Sequence, residues 1–310
     1  MLPPTLRRRA PAAAAAHHAA PQRAGDLAYR SFCRPDLSPY RPVDHATLVA
    51  RARVHLARAE PFTVHATTGN VQAYAFEPSR PAASPRTHLL IHGWTGEAAF
   101  MAAFIEPLRS RGDRVIAFDL PAHGRSPGPV TARAASLIDC AWATLAVTDH
   151  VGPLDSITGH SLGALIAAMI AEGGMPLNRA VAVPRLALLA APNRVQDVAR
   201  RYGRELGLAP AAQSRYECHM ERAGKRPLRT FSTGHLLSVS RREVLVIHAR
   251  DDAVVPFADA RDLHAEYPSA QFLAVDGLGH AGVLFAPPVV RQVRDFVAPT
   301  TTTQGNSDPS

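Results

Sequence analysis

A strand, a tight turn and a helix can be read from residues 155–170, and this stretch constrains the fold more than any other. Residues 155–158 suit the end of a strand, and residues 162–170 form an apolar run of good helix formers. Between them, residues 159–163 read Gly-His-Ser-Leu-Gly, a Gly-x-Ser-x-Gly pattern. A sharp strand-to-helix turn at Ser161 would project its hydroxyl above the sheet, toward the free N–H groups of the helix N-terminus. The pattern also fits an ordinary glycine-rich turn in which the serine only caps a helix.

Strands and helices alternate over most of the chain, which predicts an α/β fold with a mostly parallel twisted sheet and helices on both faces. Buried-type strand patterns occupy residues 88–91, 114–118, 155–158, 186–190, 244–248 and 271–275. Two alternating runs before them, residues 62–65 and 71–76, predict a hairpin. Further helices are expected at residues 97–111, 131–149 and about 288–296.

The organisation along the chain is predicted from composition and connection lengths. The connection at residues 194–242 is far longer than the usual about 4–6 residues, so we expect a small helical lid over the strand ends. The Arg- and Ala-rich residues 1–25 are expected to be a disordered tail. Residues 26–60 are expected to be a helical extension, with a helix at 44–59, ahead of a domain at 61–298 and a disordered tail at 299–310.

Charge and cysteine content limit the partners and the compartment. The net charge is +8, but residues 1–60 hold ten arginines against four acidic residues, and residues 61–310 hold 24 basic and 22 acidic residues. The excess therefore lies in the tail rather than on a folded surface, and no nucleic-acid partner is expected. The alternative is a salt-sensitive association of residues 1–60 alone with nucleic acid or with an acidic surface. The absence of a long apolar stretch predicts no transmembrane segment. Three widely spaced cysteines favour a reducing, cytoplasmic location, with organellar targeting by the tail as the alternative.

Polar residues with complementary chemistry follow three of the predicted strands. Ser161 follows the first, Asp251 and Asp252 the second, and His280 the last. The carboxyl ends of parallel strands are where open sheets bind ligands. A histidine can remove the proton of a serine hydroxyl and return it to a leaving group, and a carboxylate can hold the histidine tautomer. The backbone N–H groups of Leu162 and Trp94 are placed to stabilise an oxyanion. Each polar residue also has a structural alternative, as a turn serine, a cap aspartate or a loop histidine.

Four segments in this order resemble the α/β-hydrolase superfamily over roughly residues 60–298: residues 92–94, 119–126, 159–163, and the loops that carry Asp252 and His280. The resemblance implies that Ser161 is the nucleophile, Asp252 the acid and His280 the base. It selects Asp252 over Asp251, because the family's acid stands four residues before a proline, here Pro256. The sequence departs from the family at Ala122, where glycine is commoner.

The resemblance implies a serine hydrolase that cleaves a carboxylic ester through an acyl-enzyme, with no metal and no organic cofactor. The same triad would serve for thioester, amide, lactone or carbon–carbon cleavage. A ligand-binding member of the fold with little catalysis is the alternative from another class. The expected partner is a small acyl substrate, and the sequence carries no indication of the oligomeric state.

Overall fold

The computed structural model describes residues 20–35, 43–128 and 134–299, with the side chains of residues 43–49 excepted. Most of the tail predicted at residues 1–25 and nearly all of the tail predicted at 299–310 lie outside the described residues. No helix within the described ranges has both the length and the apolar character needed to cross a membrane.

A single eight-stranded sheet organises the domain, in the spatial order β1-β2-β4-β3-β5-β6-β7-β8. The first two strands form the predicted hairpin, and β2 also pairs antiparallel with β4, whereas all later pairs are parallel. This confirms the predicted α/β fold. The strands are β1 (Glu60–Ala66), β2 (Gly69–Phe76), β3 (Thr87–Ile91), β4 (Arg114–Phe118), β5 (Ser156–His160), β6 (Arg185–Leu189), β7 (Glu243–Ala249) and β8 (Gln271–Val275).

Helices cover both faces of the sheet. The α-helices are α1 (Pro21–Phe32), α2 (Val43–Leu56), α3 (Ile105–Arg109), α4 (Leu137–Val151), α5 (Leu162–Glu172), α6 (Val195–Glu205), α7 (Pro210–Gly224), α8 (Thr233–Ser240), α9 (Phe257–Glu266), α10 (Gly279–Gly282) and α11 (Pro287–Val297). Two short 3₁₀ helices lie at Ala98–Phe104 and Leu228–Thr230.

Two apolar cores, one on each face, hold the layers together. Because successive strand residues face opposite ways, Leu89 packs in the core with α4 and α5, and Leu90 packs in the core with α11. Both side chains are fully buried. Each such side chain contributes about 1.5–3 kcal/mol to folding by leaving water. The central strands are therefore held rigidly, and their carboxyl ends are a firm base for a site.

Three helix boundaries differ from the sequence-based expectation. The helix predicted at 131–149 begins only at Leu137, because Ser136 and Asp139 form a reciprocal capping box at its N-terminus. The helix predicted at 97–111 begins as the 3₁₀ helix and continues as α3. The first described helix begins at Pro21, inside the segment predicted to be a tail, since proline suits the first helical turn and the helix packs on α7.

The connection between β6 and β7 is mostly helical and comprises α6, α7, the 3₁₀ helix at Leu228–Thr230 and α8. In this segment α8 packs against α5 and α9, whereas α7 packs against α1. The insertion is thus joined to the sheet layer at one end and to the N-terminal helix at the other. Its service as a lid stays a prediction.

Candidate active site

The turn between β5 and α5 carries Ser161 in a strained conformation. Its φ is 53° and its ψ is −116°, values that L-residues rarely adopt and that the surroundings must enforce. The enforcing contact is tight: a Cβ placed on Gly159 would lie 2.4 Å from the carbonyl oxygen of Gly163, and one on Gly163 would lie 2.3 Å from that of Ile91. Only glycine fits at these two positions, which explains the spacing of the motif.

His280 and Asp252 lie in contact at the ends of neighbouring strands. His280 is in α10, which follows β8, and its Nδ1 lies 2.7 Å from Oδ2 of Asp252, which follows β7. The other carboxylate oxygen of Asp252 accepts the N–H groups of Val254 and Val255 at 2.8 and 2.9 Å. Asp251 is exposed and its carboxylate instead accepts the N–H of Gly279. The structure thus brings Asp252, and not Asp251, to the imidazole.

The electrostatics of this pair favour an ionised carboxylate. Burial acts to raise the pKa of Asp252, but contacts from His248 and His280 and the N–H of Val255 outweigh it and hold the pKa well below its usual range. Because Asp252 can only accept when ionised, Nδ1 of His280 is the donor and Nε2 is left as the basic nitrogen. This is the tautomer that a general base for a serine needs.

His160 joins the serine turn to the His280 loop. Its Nε2 donates to the backbone carbonyl oxygen of His280 at 2.9 Å, and the two rings lie 4.8 Å apart, centre to centre. Burial, and then the charge of His280, lower the pKa of His160 to about 3, so the ring is neutral. Because His160 immediately precedes Ser161, this bond joins the turn of the predicted nucleophile to the loop of the predicted base.

The loop after β3 passes directly over the serine turn. A Cβ on Gly93 would lie 3.0 Å from Cβ of Ser161 and 2.8 Å from Nδ1 of His160. Within residues 20–35, 43–128 and 134–299, no group accepts a hydrogen bond from the backbone N–H of Trp94 or of Leu162. Leu162 follows Ser161 directly and Trp94 follows Gly93, so both N–H groups, unpaired among the described residues, belong to segments that meet at the serine turn.

Two buried histidines hold this loop in shape. Nδ1 of His92 lies 2.7 Å from the carbonyl oxygen of Gly93, and its Nε2 accepts the N–H of Leu120 at 2.9 Å. His123 similarly donates to a carbonyl oxygen and accepts the N–H of Thr95. Burial lowers the pKa of His92 well below its usual value and that of His123 to about 4. Both rings are neutral and hold the loop through these hydrogen bonds.

The loop after β4 is organised by the carboxylate of Asp119. It accepts the N–H groups of Ala98 and Arg125 at 2.7 and 2.9 Å, and burial raises its pKa. In this loop Ala122 has φ of 65°, a left-handed conformation. The commoner glycine of the family would hold this conformation without strain, so the departure noted in the sequence has a local cost.

One further histidine at the site escaped the sequence analysis. His248 is fully buried at the end of β7, and its Nε2 lies 3.4 Å from Oδ2 of Asp252. The sequence feature that could have indicated it is a polar residue at the end of an apolar strand, four positions before Asp252. Among the described residues, no group of three or more His, Cys, Asp or Glu side chains is arranged to hold a metal ion.

A surface cavity of about 360 Å³ lies apart from these residues, between the insertion and α9. It is lined by Arg194, Arg229, Ser232, His235, Ser238 and Glu266. Its Arg194 is paired with Asp262 at 3.1 Å and with Glu266. The cavity contains none of the predicted catalytic residues. We therefore place the candidate active site at the serine turn and not at this cavity.

Comparison with known proteins agrees with this architecture. A serine hydrolase-like protein of Dictyostelium discoideum is 30% identical over 129 residues, which span 38% of this chain and 32% of that protein. The match thus spans about a third of the relative's length. Est1E from Butyrivibrio proteoclasticus has a TM-score of 0.58 at 18% identity, covering 76% of this chain and 96% of that one. Carboxylesterase CesB from Bacillus subtilis has a TM-score of 0.56 at 17% identity, covering 83% and 98%.

A third solved structure, the thioesterase domain from the curacin biosynthetic pathway, has a TM-score of 0.54 at 15% identity, covering 77% of this chain and 99% of that one. At such identities these likenesses show the fold. The family is shown by sequence, since a model of the alpha/beta hydrolase family matches residues 89–293, more than half of the chain. The chain belongs to the alpha/beta hydrolase family.

Proposed function

We propose that this chain is a serine hydrolase that cleaves a small carboxylic ester through an acyl-enzyme. Ser161 is the nucleophile, His280 the general base and Asp252 the acid that orients it. The backbone N–H groups of Trp94 and Leu162 form the oxyanion hole. The observation that carries the proposal is the 2.7 Å bond between His280 Nδ1 and Asp252 Oδ2, on a loop that His160 ties to the Ser161 turn.

In the first half of the reaction, Oγ of Ser161 attacks the ester carbonyl carbon while Nε2 of His280 takes the hydroxyl proton. The carbonyl oxygen becomes an oxyanion that accepts the two free N–H groups. The carbon–oxygen bond to the leaving group then breaks, and His280 returns the proton so that an alcohol departs. Asp252 remains ionised and stabilises the imidazolium that forms in between.

In the second half, water takes the place of the alcohol. His280 removes a proton from the water, whose oxygen attacks the acyl carbon and gives a second oxyanion. The bond to Oγ of Ser161 breaks, His280 gives the proton back to Oγ, and the carboxylic acid leaves. No group beyond the triad and the two N–H donors is required for either half.

The setting of the enzyme belongs to the same proposal. The helices of residues 194–242 follow β6 at the carboxyl edge of the sheet, which is the position from which a lid would shape the acyl pocket. A cytoplasmic location is supported by Cys33, Cys140 and Cys218, all of which are free thiols. The proposed substrate is a small acyl compound, whose carbonyl group the triad and the two N–H donors would act on.

Ser161→Ala tests the function directly. With an aryl-ester series from acetyl to long acyl chains, we expect kcat to fall by at least about 10⁴-fold, because the acyl-enzyme cannot form. Ser214→Ala, which alters an exposed serine in α7, is the matched control and should keep full activity. Equal hydrolysis by wild type and Ser161→Ala would overturn the assignment of the nucleophile.

Thioesters are the second substrate class, supported by the likeness to a thioesterase domain. The same acyl series should therefore be measured as thioesters. A kcat/KM that is higher for thioesters at every chain length would change the substrate class without changing the triad. Ligand binding without turnover of either series would favour the non-catalytic alternative.

A further inference from the structure

His248 occupies a fully buried position beside the proposed acid. It is the penultimate residue of β7, and its ring packs at 72° to the ring of Phe257 with centroids 6.1 Å apart. Nε2 lies 2.9 Å from the backbone carbonyl oxygen of Val255. A carbonyl oxygen can only accept, so Nε2 is the donor in this bond. Nδ1 is buried and has no hydrogen-bond partner among the described residues.

The donor of His248 also faces the carboxylate of Asp252. The distance from Nε2 to Oδ2 is 3.4 Å, so the hydrogen points chiefly at the carbonyl oxygen of Val255 while the positive edge of the ring lies against the carboxylate. The same Oδ2 accepts from His280 Nδ1 at 2.7 Å. His248 in strand β7 and His280, the proposed base, therefore both lie against the same carboxylate oxygen of Asp252.

The turn that carries Asp252 is fixed from both sides. Oδ1 of Asp252 accepts the N–H of Val254 and of Val255, so the carboxylate holds the turn. His248 holds the carbonyl group of Val255, so the strand holds the turn as well. Because both groups of Val255 are engaged, the carboxylate cannot rotate without breaking a buried hydrogen bond.

We propose that His248 is a positioning residue for the acid, which aims Oδ2 of Asp252 at Nδ1 of His280. The proposal rests on the proposed function, in which His280 is the base. In this role His248 acts through Asp252 and does not touch the substrate. The other titratable groups around His280 are Asp251, whose carboxylate accepts the N–H of Gly279, and His160, which donates to the His280 carbonyl oxygen.

Two substitutions separate the donor from the bulk of the ring. His248→Gln places an amide N–H close to the position of Nε2, whereas His248→Leu fills the space without a donor. His88→Leu is the matched control, because His88 is equally buried and bonded to a carboxylate, with Nε2 3.2 Å from Asp113 Oδ2. His88 lies near the amino end of β3, beside Ser156 of β5. It is therefore at the opposite end of the parallel strands from Asp252, which follows the carboxyl end of β7.

In the ester assay we expect His248→Leu to lower kcat by about 10- to 100-fold with KM within about twofold, since a misaimed triad is felt mainly in the transition state. The acidic limb of the kcat/KM profile should move to lower pH, because a carboxylate that no longer faces Nδ1 stabilises the imidazolium less. His248→Gln should keep kcat within about threefold of wild type. His88→Leu should lower stability and leave kcat and the pH profile unchanged.

A second readout does not depend on turnover. The low-field proton resonance of His280 Nδ1–H, assigned by its loss in His280→Ala, should shift or broaden in His248→Leu and persist in His248→Gln and His88→Leu. An unchanged resonance and an unchanged pH profile in His248→Leu would overturn the proposal. If no ester or thioester is hydrolysed, the proposed function fails, and the resonance still decides whether His248 positions the acid.

Discussion

Ser161 and Ala122 both hold left-handed backbone conformations, with φ of 53° and 65°, and for different reasons. At Ser161 the strained turn suits the proposed nucleophile, so the strain would serve the chemistry proposed for the site. At Ala122 the side chain is buried in a loop and no chemistry depends on it. The strain at Ser161 is thus part of the proposed chemistry, whereas no proposed step depends on the strain at Ala122.

Ala122→Gly should therefore change the free energy of unfolding by less than about 1 kcal/mol, although it removes a buried methyl group. Relief of the left-handed conformation, about 1–2 kcal/mol, offsets the added entropy of glycine in the unfolded chain, about 0.4–1 kcal/mol, and the lost burial of the methyl group, about 0.8 kcal/mol. Urea unfolding measures the change. Ala135→Gly, at a buried loop alanine outside the left-handed region, gains no strain relief and should destabilise by about 1–2 kcal/mol. A loss of stability in Ala122→Gly equal to that control would contradict the explanation.

The residues of the site differ in how far the sequence could predict them. Ser161, Asp252 and His280 each follow a strand and carry reactive groups, so parallel strands had to bring them to one edge. His248 lies within an apolar strand, where a histidine has the same sequence neighbours whether it packs in a core or contacts a carboxylate. Only the register between β7 and β8 brings it into the neighbourhood of His280.

At the scale of elements, the N-terminal helix α1 is built into the insertion. Its Gly25 approaches α7 so closely that a Cβ would lie 2.6 Å from Cβ of Arg215 and 2.7 Å from the carbonyl oxygen of Ala212. Asp26 accepts from Arg215 and His219, and these two bonds lower its pKa to about 2. The helix is thus part of the insertion in structure, although it precedes the sheet in sequence.

Gly25→Ala should destabilise the protein by about 1–3 kcal/mol, because the added methyl group meets backbone and forces α1 away from α7. Alanine in an exposed helix normally stabilises relative to glycine by about 0.5–1 kcal/mol, so the sign is diagnostic. In Gly203→Ala the nearest atom is the end of a flexible glutamine, Gln213, and no comparable loss is expected. Hydrogen exchange should show loosening in α7 but not in β5; uniform behaviour of both elements would count against this account.

Element boundaries were the part of the fold that local patterns predicted least well. The start of α4 at Leu137 depends on the exchange of hydrogen bonds between Ser136 and Asp139, which an apolar pattern does not reveal. The early start of α1 depends on α7, almost two hundred residues later in the chain. The central strands β3 to β7, in contrast, were predicted well because each is a short apolar run that the sheet buries on both faces.

At the scale of the whole molecule, neutral histidines around one site link folding to pH. Burial is the main cause of the lowered pKa of His92, His123 and His160. In the unfolded chain these rings take up protons below about pH 6.5, whereas in the folded protein they do not until far lower pH. Their neutral packing is therefore fully stabilising above that pH and is lost as the pH falls toward the folded values.

The free energy of unfolding should fall between about pH 6.5 and 4, by up to about 1.4 kcal/mol per pH unit for each of the three histidines. The raised pKa of Asp119 acts in the opposite direction, but it is a single group, whereas three histidines produce the trend. Urea unfolding at a series of pH values measures the slope. His123→Gln should reduce the slope by one histidine's share, and a stability that stays flat over this range would refute the linkage.

The docking of α1 also has a consequence for synthesis. Asp26 is 189 residues from Arg215 and 193 residues from His219 along the chain. While the first five strands emerge from the ribosome, the surface that receives α1 has not yet been translated. The first described helix is therefore among the last elements able to reach its native place, and the nascent chain must carry its apolar face exposed until α7 has appeared.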